Sequence, residues 1–416
     1  MYLLQKFLMF SIPLREMAGF QRGVPLRVGE LLMLIYALYV FLKTSIEKKS
    51  NFFNRTLLSK SIVYLLILNL VITVIFSRGQ VINLDFFYKY VARNIMMILF
   101  FSAVLIKPIS LKRKDIELFF KYMVLLQLFM LILQKSGFTI KLFTLTSFPL
   151  GSRFQGTASE AGYLPTLIAP ALWYFRDSIR NKKYYYLAFF EIFMTFSSFA
   201  YIVLALELGI VFFTKKIKIN SKKILKGIIA TFLILIVVGM NFEVVSKSIE
   251  NNFIKIMKYS KNNGGDFSAR ARNEQLTNLK NKILKFSKEE LFLGKGTGGY
   301  YSNQLKYVGK KKFMEITEEG HTLYYSTIHD RGILGYLVLI TLFGNFGYIF
   351  YKQRKNKVIM SLAYLYLLQL IHWKITGNMW LYFFWITIAF IISQYELNKV
   401  KKNRANIENR VVKESF

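Results

Sequence analysis

The chain has 416 residues, of which 54% are hydrophobic and 17% aromatic, and its 57 Lys and Arg residues outnumber its 23 Asp and Glu residues. Soluble domains contain about 45–50% apolar residues. Here the apolar excess falls in continuous blocks of roughly 17–22 residues, the length that crosses a hydrocarbon core of about 30 Å. An ordinary soluble domain is therefore excluded, and the alternating pattern of a β-barrel is missing. The sequence predicts an all-α, polytopic helical membrane protein.

The formal net charge of +34 would usually indicate nucleic-acid binding. The basic residues, however, fall in short loops between apolar blocks, which is the positive-inside pattern of membrane proteins. We therefore expect no nucleic-acid partner. The chain contains no cysteine, which excludes structural disulfides and thiol chemistry. No small-residue cleavage site follows residues 1–13, so we predict no cleavable signal sequence.

The predicted membrane spans follow one another along the whole chain. They lie near residues 27–42, 61–76, 88–106, 116–133, 159–175, 184–213, 224–240, 331–350, 358–371 and 380–393. The segment 184–213 is too long for one crossing, and the polar stretch from Thr195 to Ser198 divides it into two short spans. This gives about eleven spans, or about twelve if residues 2–13 also cross, and we expect twelve.

Orientation follows from the loops, because Lys and Arg in short loops mark the cytoplasmic side. Every second loop is basic, and so is the C-terminal tail, which places the tail in the cytoplasm. We expect an N-terminal bundle (1–240), a large outer loop (241–322), C-terminal spans (323–395) and a basic cytoplasmic tail (396–416). Within the outer loop, apolar residues recur at helical spacing from Val245 to Met257 and from Leu276 to Phe286, which predicts two amphipathic helices.

Several polar groups on the predicted outer face are candidates for chemistry. Arg153, Arg270 and Arg272 have guanidinium forks that match phosphate oxygens, and each could instead be an interfacial arginine. His321 lies at the mouth of an apolar span, where it is either a proton-transfer group or an ordinary interface residue. Arg93 lies near membrane depth, which makes it a functional candidate by default.

Two further kinds of site are not predicted. The stretch Gly294–Gly299 fits G-x-G-x-x-G but lacks the strand and helix that a dinucleotide site requires. No His, Asp or Glu cluster has the spacing of metal ligands, so we expect neither a metal nor a cofactor.

Taken together, the motifs resemble the O-antigen polymerase/O-antigen ligase family of bacterial envelopes. The resemblance covers about residues 150–350 and rests on five elements in order. They are Arg153, Gly156 and Glu160 before a span; Thr195 and Ser197 in a hairpin; Ser268-Ala269-Arg270; Leu293-Gly294-Lys295-Gly296; and His321-Thr322 running into Asp330-Arg331-Gly332-Ile333-Leu334-Gly335. Ala269 stands where the family has Gly, and Thr322 where it has Asn or Ser. Arg270 is the preferred match to the family's loop arginine, with Arg272 as the alternative.

The resemblance implies a GT-C-like glycosyltransferase in the bacterial cytoplasmic membrane, acting on the outer face without a metal or nucleotide sugar. Its implied partners are an undecaprenyl-pyrophosphate-linked oligosaccharide, membrane lipids and a chain-length regulator protein. Arg153 and Arg270, with Arg272 and Arg93, would bind the pyrophosphate, and His321 or Glu160 would act as base toward the acceptor hydroxyl.

Three functions remain open from the sequence. We expect a repeat-unit polymerase, with a ligase that transfers the glycan to lipid A-core as the first alternative. A transporter of lipid-linked glycans is the alternative from another class, and it predicts charges and broken helices within the membrane.

Overall fold

The computed structural model describes residues 1–14, 27–47, 52, 54–76, 84–135, 163–195, 197–214, 267–296, 322–373 and 381–414. Within these residues the regular structure consists of thirteen α-helices and no strand. They are α1 (Tyr2–Phe10), α2 (Val28–Glu47), α3 (Leu57–Phe76), α4 (Leu84–Ile106), α5 (Arg113–Lys135), α6 (Leu164–Phe175), α7 (Lys182–Met194), α8 (Ser198–Thr214), α9 (Phe267–Leu284), α10 (Lys288–Leu293), α11 (Leu323–Lys352), α12 (Lys357–His372) and α13 (Tyr382–Glu414).

Five of the helices, α2 to α5 and α11, are long and apolar enough to cross a membrane. At 1.5 Å per residue, the 20 to 23 residues of α2 to α5 span about 30–35 Å. Many of their large apolar side chains are exposed, among them Leu38, Ile75 and Phe129. The prediction of an all-α polytopic membrane protein is thereby confirmed at the level of helix type and length.

The predicted division of 184–213 is also confirmed, because α7 ends at Met194 and α8 begins at Ser198. Polar side chains form hydrogen bonds at this break. The hydroxyls of Thr195 and Ser197 lie 3.2 Å apart, and Ser197 Oγ accepts from the Ala200 amide at 3.1 Å. In the predicted outer loop, α9 contains the helical positions Leu276, Leu279 and Ile283, with Leu279 buried, but it ends at Leu284, before the predicted position Phe286. The predicted span 224–240 and the predicted helix from Val245 lie outside the described residues.

The first helix, α1, is too short to cross a membrane. Its nine residues span about 14 Å, less than half of the hydrocarbon core. It is held by polar contacts instead: Lys6 Nζ lies 2.7 Å from an Asp115 carboxylate oxygen, and Gln5 donates to the Pro108 carbonyl at 3.3 Å. Its length favours the count of eleven spans over twelve.

The contacts divide the chain into two compact units, residues 123–271 and the remainder. In the larger unit, α2 and α4 run parallel, because Glu30 lies near Arg93 and Tyr36 packs on Phe100 with ring centroids 5.9 Å apart. In the smaller unit, α6 and α7 pack closely, with the rings of Phe175 and Tyr184 at 5.2 Å.

An aromatic core joins α11, α12 and α13 in the larger unit. Trp373 stacks on Phe343 at 5.0 Å and meets the edge of Phe384 at 4.8 Å, and Trp385 packs on Phe346 at 6.1 Å. Both tryptophans are fully buried. Aromatic pairs of this kind contribute about 0.5–1.5 kcal/mol each beyond the area they bury.

The structure corrects the predicted span 331–350, because α11 begins earlier, at Leu323, and is broken at Gly332. The Trp373 carbonyl accepts from the Leu323 amide at 3.1 Å, while the Trp373 ring stacks on Phe343. In a straight helix these two α11 residues would be about 30 Å apart, too far for one tryptophan to contact both. The helix therefore folds back at Gly332 into a short arm (323–331) and a long arm (333–352). The long arm alone is long enough to cross a membrane.

Candidate functional site

The break in α11 depends on glycine at two facing positions. Gly332 has φ +64° and ψ −169°, and Gly294, just after α10, has φ +81°. Both values lie where side chains other than glycine are strained. A Cβ on Gly332 would fall on the Phe292 carbonyl, and one on Gly294 would fall on the backbone of Asp330 and Arg331. The two backbones therefore approach each other as closely as glycine allows.

Backbone hydrogen bonds join the same two segments. The Lys295 amide donates to the His329 carbonyl at 2.8 Å, and the Gly296 amide donates to the Asp330 carbonyl at 3.0 Å. These are carbonyls at the C-terminal end of the short arm, which a helix leaves without internal partners. Two motifs that are far apart in the sequence, Leu293–Gly296 and Asp330–Gly335, thus form one junction between the segment after α10 and α11.

The segment before this junction is fixed by a capping box at the start of α10. Ser287 Oγ accepts from the Glu290 amide at 3.2 Å, and a Glu290 carboxylate oxygen accepts from the Ser287 amide at 2.9 Å. The Ser287 amide, and then Lys295 with Nζ at 3.3 Å, hold the pKa of Glu290 below its usual value. Lys295 also lies over the Phe286 ring, which packs on His329 with centroids 5.4 Å apart.

Arg331 is the most unusual residue of the junction, because its charged side chain is 95% buried within an apolar helix. Its Nη1 donates to the Asn69 side-chain oxygen at 2.5 Å, and its Nη2 donates to Thr327 Oγ1 at 3.1 Å. The guanidinium lies 5.0 Å from the centre of the Tyr90 ring. Asn69 in turn donates to Asn94 at 2.8 Å. Arg331 is not among the site residues predicted from the sequence, although an arginine inside an apolar block is a signal for such a site.

Arg93, a predicted substrate-binding residue, precedes Asn94 of this cluster in the chain, but its side chain contacts Glu30 of α2. Its Nε is 3.8 Å from a carboxylate oxygen of Glu30, which is 99% buried. The other Glu30 oxygen accepts from the Arg27 amide at the start of α2. Arg93 therefore has a structural partner within the protein, and its role in binding substrate stays a prediction.

The other predicted site residues lie either at the edge of the described residues or outside them. Arg270 and Arg272 lie at the start of α9. Arg153, Glu160 and His321 lie outside the described residues. Thr322, which follows His321, is the N-cap of α11 and accepts from the Tyr325 amide at 3.5 Å. The predicted histidine thus immediately precedes the short arm that ends at Arg331.

Comparison of the sequence with models of protein families and with curated proteins gives no match. Chemically, the junction combines a rigid turn from the outer loop, a broken helix and a buried guanidinium. Such a guanidinium can bind and stabilise an anion, and the side chains around it are hydrogen-bond partners that orient it.

Proposed function

We propose that the protein is a membrane-embedded glycosyltransferase that polymerises lipid-linked repeat units. It would transfer a growing glycan from undecaprenyl pyrophosphate to a new lipid-linked unit at the outer face of the bacterial cytoplasmic membrane. The product would be an envelope polysaccharide such as O-antigen or capsule. The C-terminus and the basic loops would lie in the cytoplasm.

One observation is the main support for this proposal. Lys295 and Gly296, which follow α10, are hydrogen-bonded to His329 and Asp330 at the end of the short arm of α11, next to the break at Gly332. A transferase with a lipid-anchored donor needs polar groups held rigidly where the lipid headgroup emerges from the bilayer, because catalysis depends on fixed geometry. The junction provides that rigidity at the end of the short arm, whose N-cap is Thr322.

The proposed site residues have two kinds of role: some bind the charged pyrophosphate, and one accepts a proton. Arg153 and Arg270 would bind the pyrophosphate and stabilise the negative charge that develops as it leaves. His321 would accept the proton of the attacking hydroxyl, since an imidazole titrates near neutral pH. Glu160 is the alternative base, and Arg272 the alternative phosphate ligand.

The direct test is turnover of a purified lipid-linked repeat unit by the purified protein. His321→Ala and Arg270→Ala should each reduce polymer formation by at least about 100-fold, as expected on losing a general base or a charge-stabilising donor. Arg180→Ala, which removes an exposed arginine between α6 and α7, is the control and should retain full activity. If both test variants polymerise as well as the wild type, the proposal is wrong.

A ligase is separated from a polymerase by the products that accumulate in cells lacking the gene. Loss of a polymerase should leave single repeat units attached to the final acceptor. Loss of a ligase should instead leave long chains on the carrier lipid. A deletion that changes neither product contradicts both functions.

A transporter is the second candidate, and the structure contains an observation in its favour. Broken helices and buried charges are typical of transporter sites, and α11 has both, at Gly332 and Arg331. An assay in proteoliposomes that contain the purified protein distinguishes a transporter from a transferase. Movement of a lipid-linked glycan between leaflets without chain growth would support a transporter, and chain growth would support the transferase.

A further inference from the structure

The guanidinium of Arg331 is bound only by neutral groups among the described residues. Its hydrogen-bond partners are the Asn69 amide oxygen and the Thr327 hydroxyl, and its ring contact is Tyr90. None of the ion pairs within the described parts of the chain includes it, and the carboxylate of the adjacent Asp330 contacts His329. A buried charge without a countercharge is costly, so this cation is suited to a negatively charged partner.

One edge of the guanidinium has an unpaired donor. Arginine has five N–H donors. Nη1 and Nη2 each use one of theirs for Asn69 and Thr327, and the buried Nε has no hydrogen-bond partner within the described structure. Nε therefore keeps an N–H donor on the edge it shares with Nη2, the edge through which arginine binds phosphate oxygens.

A second anion-binding element lies at the same point. The long arm of α11 begins after the break at Gly332, and the first N–H groups of a helix carry partial positive charge and bind phosphates. A Cβ on Gly335 would fall on Cβ of Arg331, so the arginine lies against the first turn of that arm. The carbonyls of His329 and Asp330, which could have offset the charge, already accept from Lys295 and Gly296.

We propose that Arg331 and the N-terminus of the long arm form a binding site for the phosphate oxygens of an anionic ligand. The ligand class is a phosphate or diphosphate ester, either lipid-anchored and reaching the site from the bilayer or soluble and reaching it from water. The inference goes beyond the proposed function, whose anion contacts are Arg153 and Arg270. It applies to a transferase and to a transporter alike, so it is tested by binding and not by turnover.

The test measures dissociation constants of the full-length protein in detergent for farnesyl diphosphate, inorganic diphosphate and farnesol. Arg331→Gln keeps a donor for Asn69 but loses the charge and the fork, and should weaken binding of farnesyl diphosphate about 10- to 100-fold. Arg331→Lys, which keeps the charge alone, should weaken it about tenfold. Arg354→Gln is the matched control, because Arg354 also stacks on a tyrosine, Tyr351, but is exposed; its binding should equal that of the wild type.

A second variant keeps the test valid if Arg331→Gln does not fold. Asn69→Asp retains the oxygen that Arg331 contacts and supplies a countercharge, but it loses the hydrogen bond to Asn94. It should weaken diphosphate binding at least about tenfold. A preference for farnesyl diphosphate over inorganic diphosphate supports the site and identifies a lipid ligand, and equal affinities support it and identify a soluble one. Equal binding of farnesol and farnesyl diphosphate, or wild-type affinity in folded Asn69→Asp, would overturn the proposal.

Discussion

The ion pair between Arg93 and Glu30 joins α4 to α2 within an apolar part of the protein. Because Glu30 is 99% buried, removing its cationic partner should leave an uncompensated charge. We expect Arg93→Gln to lower the free energy of unfolding by on the order of 3 kcal/mol. The thermal unfolding midpoint in detergent, measured for purified wild type and variant, checks this expectation.

A double variant separates the structural role of Arg93 from the role in substrate binding that the sequence predicts. Arg93→Gln with Glu30→Gln removes both charges and should recover most of the lost stability, since the two residues are coupled. Activity that stays low in this stable double variant would indicate that Arg93 also binds substrate. A single variant as stable as the wild type would contradict the ion pair as a source of stability.

At the scale of elements, the junction of α10 and α11 depends on backbone conformation more than on side chains. Gly332→Ala would place a Cβ on the Phe292 carbonyl and force an alanine into φ +64°. Backbone strain alone should lower the free energy of unfolding by about 1–3 kcal/mol, and the steric overlap should add to that loss. Thermal unfolding in detergent and glycan polymerisation should both decrease.

The control for this prediction lies twelve residues further along the same helix. A Cβ on Gly344 would meet nothing within 4 Å, so Gly344→Ala should be neutral or stabilise the helix by up to about 1 kcal/mol. Equal thermal midpoints for the two alanine variants would show that the break at Gly332 is not required. The comparison is direct because both substitutions add one methyl group to α11.

At the scale of the whole molecule, local sequence patterns predict the helices and their breaks, but they do not predict the long-range contacts. Continuous apolar blocks predict the helices α2 to α5, and the polar stretch from Thr195 to Ser198 predicts the break between α7 and α8. Both signals are contained in short segments of the sequence. The fold-back of α11 could not be predicted in this way, since it depends on Trp373 contacting both arms. Arg331 and Asn69 are likewise 262 residues apart in the chain, so no spacing rule connects them.

Orientation in the membrane is a property of the whole chain, and the absence of cysteine makes it directly measurable. Lys288 at the start of α10 and Lys355 after α11 are both exposed, and the long arm of about 30 Å separates their segments. The positive-inside pattern predicts that Lys288 is outside and Lys355 inside.

Single-cysteine variants Lys288→Cys and Lys355→Cys should therefore differ in their reaction with a membrane-impermeant maleimide. In intact spheroplasts only the residue-288 variant should be labelled, and permeabilised spheroplasts should label both. Labelling of both in intact cells would mean that the long arm does not cross the membrane. Labelling of residue 355 alone would invert the orientation and place the junction at Gly332 on the cytoplasmic side, where a glycan polymerase of the proposed kind could not work.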